Sequence, residues 1–288
     1  MTSQDFDFGS FAYGFWRYTE DQFDLACKMV EAAREAGIDH LDTADIYGNE
    51  SGIGAAERML GRIAREAPAL LEGATVATKG GIVFGTPYNS SKEYLTSAVD
   101  KSLGLMGVER IDLYYIHRPD MLTHPADLAA TLDGLVEAGK LKAVAVSNFT
   151  AAQIEGLKAY LKAPLIAHQI EFSALHIAPI TDGTLDQAMR HDFAVPVWSP
   201  VAGGQVFSGE SDQAQRVRGA IEAIAAKLGR SSMEVALSFV TTFPARTVPI
   251  LGTRNPERLR EAVRAKDLIL DRSDWYDIYE AATGEQLP

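Results

Sequence analysis

The segment His40-Leu-Asp-Thr-Ala-Asp-Ile-Tyr-Gly48 reads as the end of a buried strand that runs into a loop. Leu41 is apolar and suits a strand, whereas the two aspartates are poor strand residues and Gly48 marks a turn. We therefore predict a strand over residues 38–42 followed by a loop. This arrangement puts the carboxylate of Asp42 at the edge of a core, five residues before the phenol of Tyr47.

Two later strands are predicted to end in polar residues that could act together with Asp42 and Tyr47. Lys79 follows the run Ala74–Thr78, and His117 follows the run Ile111–Ile116. In a parallel barrel the carboxyl ends of all strands meet at one face. If the three strands are neighbours, the ammonium and the imidazole open onto the same face as the carboxylate and the phenol.

Strand and helix patterns alternate along the whole chain of 288 residues. Periodicity, caps and turn residues predict eight strands and the helices between them. The strands are expected at 10–16, 38–42, 74–78, 111–116, 143–146, 165–169, 194–198 and 247–251. The helices are expected at 20–36, 54–66, 91–106, 127–138, 151–161, 184–190, 213–228, 232–242 and 256–265, with one extra terminal helix at 273–282.

This alternation, with no linker or shift in composition, predicts a single α/β domain over residues 1–288, built as a parallel (β/α)8 TIM barrel with an extra C-terminal helix. A doubly wound open sheet is the alternative. It usually carries a glycine-rich first turn at its nucleotide site, which this chain lacks. Residues 80–90 are predicted to form a long loop over a pocket.

Composition limits the function classes. Hydrophobic residues make up 47% and charged residues 23% of the chain, as in an ordinary globular enzyme. The formal net charge of -12 disfavours nucleic acid or an anionic membrane as the main partner. A single cysteine, a polar N-terminus and the lack of an apolar run of about 18 residues favour a cytoplasmic protein. The histidines show no paired ligand spacing, so no metal is expected.

Polar and aromatic residues collect at the predicted strand ends. Any one of them could equally cap a helix or pair with a surface residue, but their shared position at strand ends indicates a common site. The set is Trp16, Asp42, Tyr47, Lys79, His117, Ser147, Asn148, Gln169, Trp198, Ser199, Gly252, Thr253 and Arg254.

Four of these residues suit the protonation of an oxygen on which negative charge develops. A nearby ammonium on Lys79 would stabilise the Tyr47 phenolate and lower the pKa of the phenol from its usual value of about 10. Asp42 would hold that ammonium by a charge-assisted hydrogen bond. His117 would donate a hydrogen bond to a carbonyl oxygen and fix its direction.

The whole chain resembles the aldo-keto reductases, NADP(H)-dependent barrel enzymes that reduce aldehydes and ketones. The resemblance lies in the order and spacing of several segments. They are Asp42–Gly48, Lys79, Leu113–Pro119, Gly139–Phe149, Gln169–Glu171, Trp198–Pro200 and Leu251–Leu259. It implies that Asp42, Tyr47, Lys79 and His117 form a catalytic tetrad with Tyr47 as the general acid.

The resemblance also implies cofactor roles. Ser147, Asn148 and Gln169 match residues that bind the nicotinamide carboxamide, and Trp198 matches an aromatic residue that stacks on the nicotinamide ring. Most of the family has tyrosine there; the tryptophan is shared with the bacterial branch of YdhF-like oxidoreductases. A further group matches the segment over the cofactor pyrophosphate, where small residues let backbone N–H groups approach an anion. That group is Ser199, Val201 and Gly203.

The end of the eighth strand bears on cofactor choice. Many family members bind the 2'-phosphate of NADPH with a lysine at the position of Gly252. Here Thr253, Arg254 and Arg258 lie nearby, and a guanidinium suits the paired oxygens of a phosphate. NADPH is therefore expected over NADH. The alternative is that Arg258 pairs with a glutamate on its own helix.

The predicted activity is reduction of a small-molecule carbonyl substrate by a monomer or weak homo-oligomer. Trp16 and Phe84 would form an apolar wall of the substrate pocket, although each could instead pack in the core or at the rim. The alternative from another class is a non-catalytic, NADP(H)-sensing or partner-binding subunit on the same fold.

Overall fold

Eight parallel strands close into a barrel in the computed structural model of the chain, which describes residues 6–48 and 52–288. The barrel strands are β1 (Ala12–Gly14), β2 (His40–Asp42), β3 (Thr75–Gly80), β6 (Ile111–Ile116), β7 (Leu141–Ser147), β8 (Leu165–Glu171), β9 (Ala194–Trp198) and β10 (Arg246–Leu251). A separate antiparallel pair consists of β4 (Ile82–Val83) and β5 (Thr86–Tyr88).

Helices follow the strands and surround the barrel. They are α1 (Phe23–Glu35), α2 (Ala55–Glu66), α3 (Lys92–Met106), α4 (Pro125–Glu137), α5 (Ala151–Lys158), α6 (Thr184–His191), α7 (Gln205–Ser208), α8 (Asp212–Leu228), α9 (Ser232–Thr241), α10 (Pro256–Val263) and α11 (Arg272–Thr283). The predicted (β/α)8 barrel is confirmed, and the predicted extra helix corresponds to α11, which packs against α8. Among the described residues, no helix is both long and apolar enough to cross a bilayer.

The closed strand order divides the barrel into two halves. β1, β2, β3 and β6 are consecutive neighbours and form the N-terminal half-barrel, and β7 to β10 form the C-terminal half-barrel. The halves meet where β6 pairs with β7 and where β1 pairs with β10. Loops at the carboxyl ends of the strands from both halves therefore surround a single mouth.

Three local predictions are wrong. The segment 80–90, predicted as a loop, contains the hairpin of β4 and β5, whose connection is Phe84–Gly85 with Gly85 at φ +84°. That conformation suits glycine, which lacks a Cβ. β1 has three residues rather than the seven predicted, and α7 was not expected.

Large aromatic side chains fill the amino-terminal end of the barrel. Several inward-facing positions are alanines, such as Ala77, Ala143 and Ala167, and they leave space at the axis. Phe6 and Phe8 fill it, and Phe8 stacks on His40 at the start of β2 with 5.5 Å between ring centroids. This packing closes the floor of the barrel, so that only the carboxyl end of the strands stays open.

The helices α2 and α3 approach each other closely at a glycine. An added Cβ on Gly61 would lie 2.1 Å from the carbonyl oxygen of Leu105, which is far inside van der Waals contact. Only a residue without a side chain therefore fits at this point of α2. The contact fixes the helix that follows the Tyr47 loop against the helix that follows the hairpin.

Candidate active site

Backbone hydrogen bonds between neighbouring strands bring four predicted residues together. The loop after β2 is tied to β3 by Thr43 N–H donating to Ala77 O (2.8 Å) and by Asp45 N–H donating to Lys79 O (2.9 Å). β3 is tied to the end of β6 by His117 N–H donating to Gly80 O (2.9 Å). These bonds set the ends of the three strands at one edge of the N-terminal half-barrel.

Lys79 and Asp42 form a buried ion pair beneath the mouth. The Lys79 side chain has no solvent exposure, and its Nζ donates to Asp42 Oδ2 at 2.6 Å and to Thr43 O at 2.7 Å. The second carboxylate oxygen of Asp42 accepts from Gln169 Nε2 at 2.8 Å. Burial alone would disfavour the ammonium, but the charge of Asp42 and the hydrogen bonds to Asp42 and Tyr47 outweigh it and raise the pKa of Lys79. Lys79 therefore keeps its charge.

Tyr47 lies above this ion pair. Its ring centroid is 5.0 Å from Lys79 Nζ and 5.6 Å from the centroid of the His117 ring, which it meets edge to face. Burial raises the pKa of the Tyr47 phenol, and the Lys79 charge and hydrogen bond offset only part of that effect. The predicted lowering of this pKa is therefore wrong, because sequence reasoning locates the neighbouring cation but not the depth of burial.

His117 is held neutral. Burial lowers the pKa of its imidazole well below the usual value, and the positive charges of Lys79 and Arg118 add to this effect. Its Nδ1 is buried without a hydrogen-bond partner among the described residues. A neutral imidazole can donate one hydrogen bond without carrying charge into the site.

A chain of hydrogen bonds crosses the strand ends of the C-terminal half-barrel. Trp198 Nε1 donates to Asn148 Oδ1 at 3.0 Å, and Asn148 Nδ2 donates to Ser147 Oγ at 2.7 Å. Ser147 Oγ in turn donates to Gln169 O at 3.1 Å. Asn148 has φ +60°, a left-handed conformation that asparagine tolerates better than most residues. The amide groups are thus oriented towards the mouth by their neighbours.

A cavity of about 710 Å³ occupies the mouth of the barrel. Among the predicted site residues, those that line it are Trp16, Asp42, Tyr47, His117, Ser147, Asn148, Gln169, Trp198, Ser199, Val201, Gly203, Gly252, Thr253 and Arg258. Lys79 lies beneath it. Arg254 and Phe84 are not part of its lining.

These two exceptions have physical reasons. Phe84 is at the tip of the hairpin, 70% exposed, and does not form the predicted apolar wall. Arg254 turns towards α1 and donates to Gln22 Oε1 at 3.2 Å. Of the two predicted arginines, only Arg258, in the first turn of α10, reaches the cavity, and in the described part of the chain it forms no ion pair with Glu257 or Glu261.

The segment after β9 has an unusual backbone. Ser199, Ala202, Gly203 and Gly204 all have positive φ, between 50° and 99°. An added Cβ on either glycine would meet nothing within 4 Å, so both backbones face open space. The turn is closed by its own backbone hydrogen bonds, since Ala202 N–H donates to Ser199 O (2.7 Å) and Gly204 N–H donates to Val201 O (2.9 Å).

Sequence reasoning did not identify two arginines of the cavity, Arg17 and Arg118. Arg118 directly follows His117, and Arg17 follows the predicted first strand. A charged residue within a few positions of a strand end was the available signal. Within the described ranges, no group of three histidine, cysteine, aspartate or glutamate residues is arranged to hold a metal ion.

Comparison with known proteins places this arrangement in a family. The sequence model described as "Aldo/keto reductase family" matches residues 8–283. The chain belongs to the aldo/keto reductase family. Its similarity to a 6-dehydroglucose reductase of Novosphingobium aromaticivorans is 42% identity over 281 residues, covering 96% of this chain and 92% of the relative.

The predicted resemblance to the YdhF-like branch is confirmed. The oxidoreductase YdhF of Escherichia coli is 31% identical over 293 residues, which is 98% of this chain and 96% of that protein. A crystal structure of the thermostable aldo-keto reductase Tm1743 with the inhibitor epalrestat superposes with a TM-score of 0.81, covers 95% of each chain and is 19% identical. Membership in the aldo/keto reductase family supports an oxidoreductase activity.

Proposed function

We propose that this aldo-keto reductase reduces aldehyde or ketone carbonyls to alcohols with NADPH, and that Tyr47 is the general acid. The observation that carries the proposal is the Tyr47 phenol, which lines the cavity directly above the ion pair of a fully buried lysine and a nearly buried aspartate. A buried ion pair of this kind is costly unless it is well satisfied, and here both partners have further hydrogen bonds.

The cavity suits a nicotinamide dinucleotide along the C-terminal half-barrel. Ser147, Asn148 and Gln169 present amide and hydroxyl groups for a carboxamide, and the Trp198 indole offers a flat face for a ring. The left-handed backbone at Gly203 and Gly204 lets the chain approach a pyrophosphate closely, because neither residue has a side chain. When bound, the cofactor supplies a hydride from C4 of its nicotinamide.

The chain's own residues manage the proton and the charge. The raised pKa of Tyr47 keeps its Oη protonated at neutral pH, so the acid is ready to donate. The permanent charge of Lys79 stabilises the phenolate that remains after donation. The neutral imidazole of His117 donates a hydrogen bond to the carbonyl oxygen and orients it towards Tyr47.

The choice of NADPH over NADH rests on Arg258. Its guanidinium lines the cavity, has no carboxylate partner among the described residues and can donate paired hydrogen bonds to phosphate oxygens. Arg254 hydrogen-bonds to Gln22 and would have to leave that contact to assist. We therefore infer that Arg258, rather than Arg254, is the main residue that binds the 2'-phosphate.

The test follows the loss of NADPH absorbance with a panel of aldehydes. The panel includes a dehydro-sugar, because the 42% identical relative is a 6-dehydroglucose reductase. Tyr47→Phe is expected to lower kcat by roughly a hundredfold or more, because it removes a proton donor and little packing. The dissociation constant for NADPH, measured by fluorescence titration, is expected to stay within about threefold.

Tyr160→Phe is the matched control, since this tyrosine is half exposed after α5 and packs against His124, outside the cavity. Wild-type turnover in Tyr47→Phe would exclude Tyr47 as the acid. Binding of NADPH without consumption with any carbonyl would favour a non-catalytic, cofactor-sensing subunit. Equal kcat/KM with NADH and NADPH would contradict the role of Arg258.

A further inference from the structure

The charge of the cavity lining is opposite to the charge of the protein. The chain carries a formal net charge of -12, yet the charged residues that line the cavity are Arg17, Arg118, Arg258 and Asp42. Asp42 is neutralised by Lys79. None of the three arginines has an ion-pair partner among the described residues, whereas many other cations of the chain do. Examples are Arg34, Arg58, Arg62, Lys140, Lys227, Arg230, Arg260 and Arg264.

The position of each arginine in the barrel separates their roles. Arg258 belongs to the C-terminal half-barrel, where the proposed cofactor residues lie. Arg17 follows β1 and Arg118 follows β6, so the two lie at the opposite ends of the N-terminal half-barrel. The strands between them, β2 and β3, carry the Asp42 and Lys79 side chains.

The turn after β1 is built to present Arg17. Phe15 and Tyr18 are fully buried, and Phe15 N–H donates to Asp42 O at 2.9 Å. The two residues between them, Trp16 and Arg17, point outwards and line the cavity. The Arg17 guanidinium lies over the Trp16 ring at 4.6 Å from its centroid, a contact that holds the side chain while leaving its N–H groups accessible.

The loop after β6 presents Arg118 in a similar way. The nearby carboxylate of Asp120 is already engaged, since it accepts from Ser90 N–H (2.8 Å), Leu122 N–H (2.9 Å) and Thr123 Oγ1 (2.7 Å). Arg118 is instead 5.8 Å from the centroid of the Trp198 ring. It directly follows His117 and lines the same cavity, and its charge contributes to lowering the pKa of the His117 imidazole.

We propose that Arg17 and Arg118 form a cationic subsite that selects carbonyl substrates carrying a compact oxyanion, a carboxylate or a phosphate, away from the reacting carbon. This inference rests on the proposed function, because the anion is bound on the molecule whose carbonyl faces Tyr47. Guanidinium groups bind such oxyanions through paired N–H donors, and a semi-enclosed site screens the attraction less than open solvent does. Both arginines together would also draw the substrate into a protein whose overall charge repels anions.

The test compares aldehydes that differ only in charge. One pair is 4-carboxybenzaldehyde and methyl 4-formylbenzoate, and the other is glyceraldehyde 3-phosphate and glyceraldehyde. For wild-type protein, kcat/KM is expected to be roughly tenfold or more higher for the charged member of at least one pair, and the favoured pair distinguishes a carboxylate from a phosphate. Arg17→Gln and Arg118→Gln are each expected to reduce that ratio roughly tenfold, and the corresponding Arg→Lys variants to restore part of it.

Arg65→Gln, an exposed residue in the last turn of α2 at the other end of the barrel, is the charge-matched control and should leave the ratio unchanged. Turnover of the neutral aldehydes with no preference for the charged ones would overturn the subsite while leaving the reductase proposal intact. An equal loss on both members of a pair in the Gln variants would overturn it as well. Absence of turnover with every aldehyde would refute the proposed function and the subsite with it.

Discussion

Among single residues, Asp45 is a buried carboxyl group in the loop that carries Tyr47, and it lies near a second buried carboxyl group, that of Glu57. Its carboxyl lies behind the loop, and the Tyr94 hydroxyl donates to Asp45 Oδ2 at 3.3 Å. Burial raises the pKa of Asp45 to about 7, and the neighbouring charge of Glu57 adds to the shift. Glu57 is itself fully buried, with burial raising its own pKa, and it accepts a hydrogen bond from Thr78 at 2.7 Å.

Asp45 should therefore make stability depend on pH. Its folded pKa lies above the unfolded value, so the folded state binds more protons between about pH 4 and 7, and stability falls as pH rises through that window. The Asp45→Asn variant has no carboxyl group at this position and therefore lacks this pH-dependent contribution to stability. We expect the unfolding free energy of the variant, relative to wild type, to increase by about 1–3 kcal/mol between pH 4 and pH 8. Urea denaturation at several pH values measures it, and a difference that is constant with pH would contradict the assignment.

The positions of the site residues could be predicted from the sequence, but their electrostatics and side-chain directions could not. Lys79, Asp42 and Tyr47 could be located, because each occupies a defined offset from a strand end. The direction of the Tyr47 pKa could not, since burial depends on all the surrounding elements. Nothing in the sequence gives a reason to prefer Arg254 or Arg258 as the phosphate-binding residue. In the structure, Arg254 contacts Gln22 and Arg258 lines the cavity.

At the level of helices and strands, periodicity in the sequence predicted the order of the long elements. It did not predict the short ones. Long apolar patterns such as those of α8 and β6 are read reliably. The hairpin of β4 and β5 consists of a two-residue and a three-residue strand, too short to show alternation. The position of α7 was missed for the same reason, since four residues make barely one turn.

The close approach of α2 and α3 gives a prediction about packing. Gly61→Ala would force the two helices apart, because its Cβ would overlap the carbonyl oxygen of Leu105. We expect a loss of about 1–3 kcal/mol in unfolding free energy. Gly104→Ala in α3 is the matched control: an added Cβ meets nothing there, and better helix propensity should raise stability by about 0.5–1 kcal/mol.

Thermal and urea denaturation of both variants measure these effects. The Gly61→Ala substitution should also lower kcat/KM if α2 supports the Tyr47 loop, since Ala56 N–H donates to Tyr47 O at 3.2 Å. Equal stability of the two variants would show that α2 can shift without cost, contrary to the tight contact seen here.

Across the whole barrel, β6 and β10 lie four strands apart in a closed ring of eight, on opposite sides of the mouth. Arg118 and Arg258 follow these two strands, so their effects should be independent. We expect Arg258→Gln to weaken NADPH binding and Arg118→Gln to leave it within about twofold. The double variant should show the NADPH dissociation constant of Arg258→Gln alone, measured by fluorescence titration. A change of more than about threefold on adding Arg118→Gln would mean that Arg118 contacts the cofactor instead.

The separation of the two half-barrels bears on how such a protein can acquire new specificities. Side chains at positions 17 and 118 project from loops on one half, while Ser147, Asn148, Gln169 and Trp198 are interlocked on the other. On the proposed roles, diversifying the first group in a combinatorial library is expected to vary the accepted compound and to leave the residues that receive the reducing cofactor in place. Natural divergence can proceed in the same way, with substitutions in one loop at a time while the catalytic residues stay unchanged.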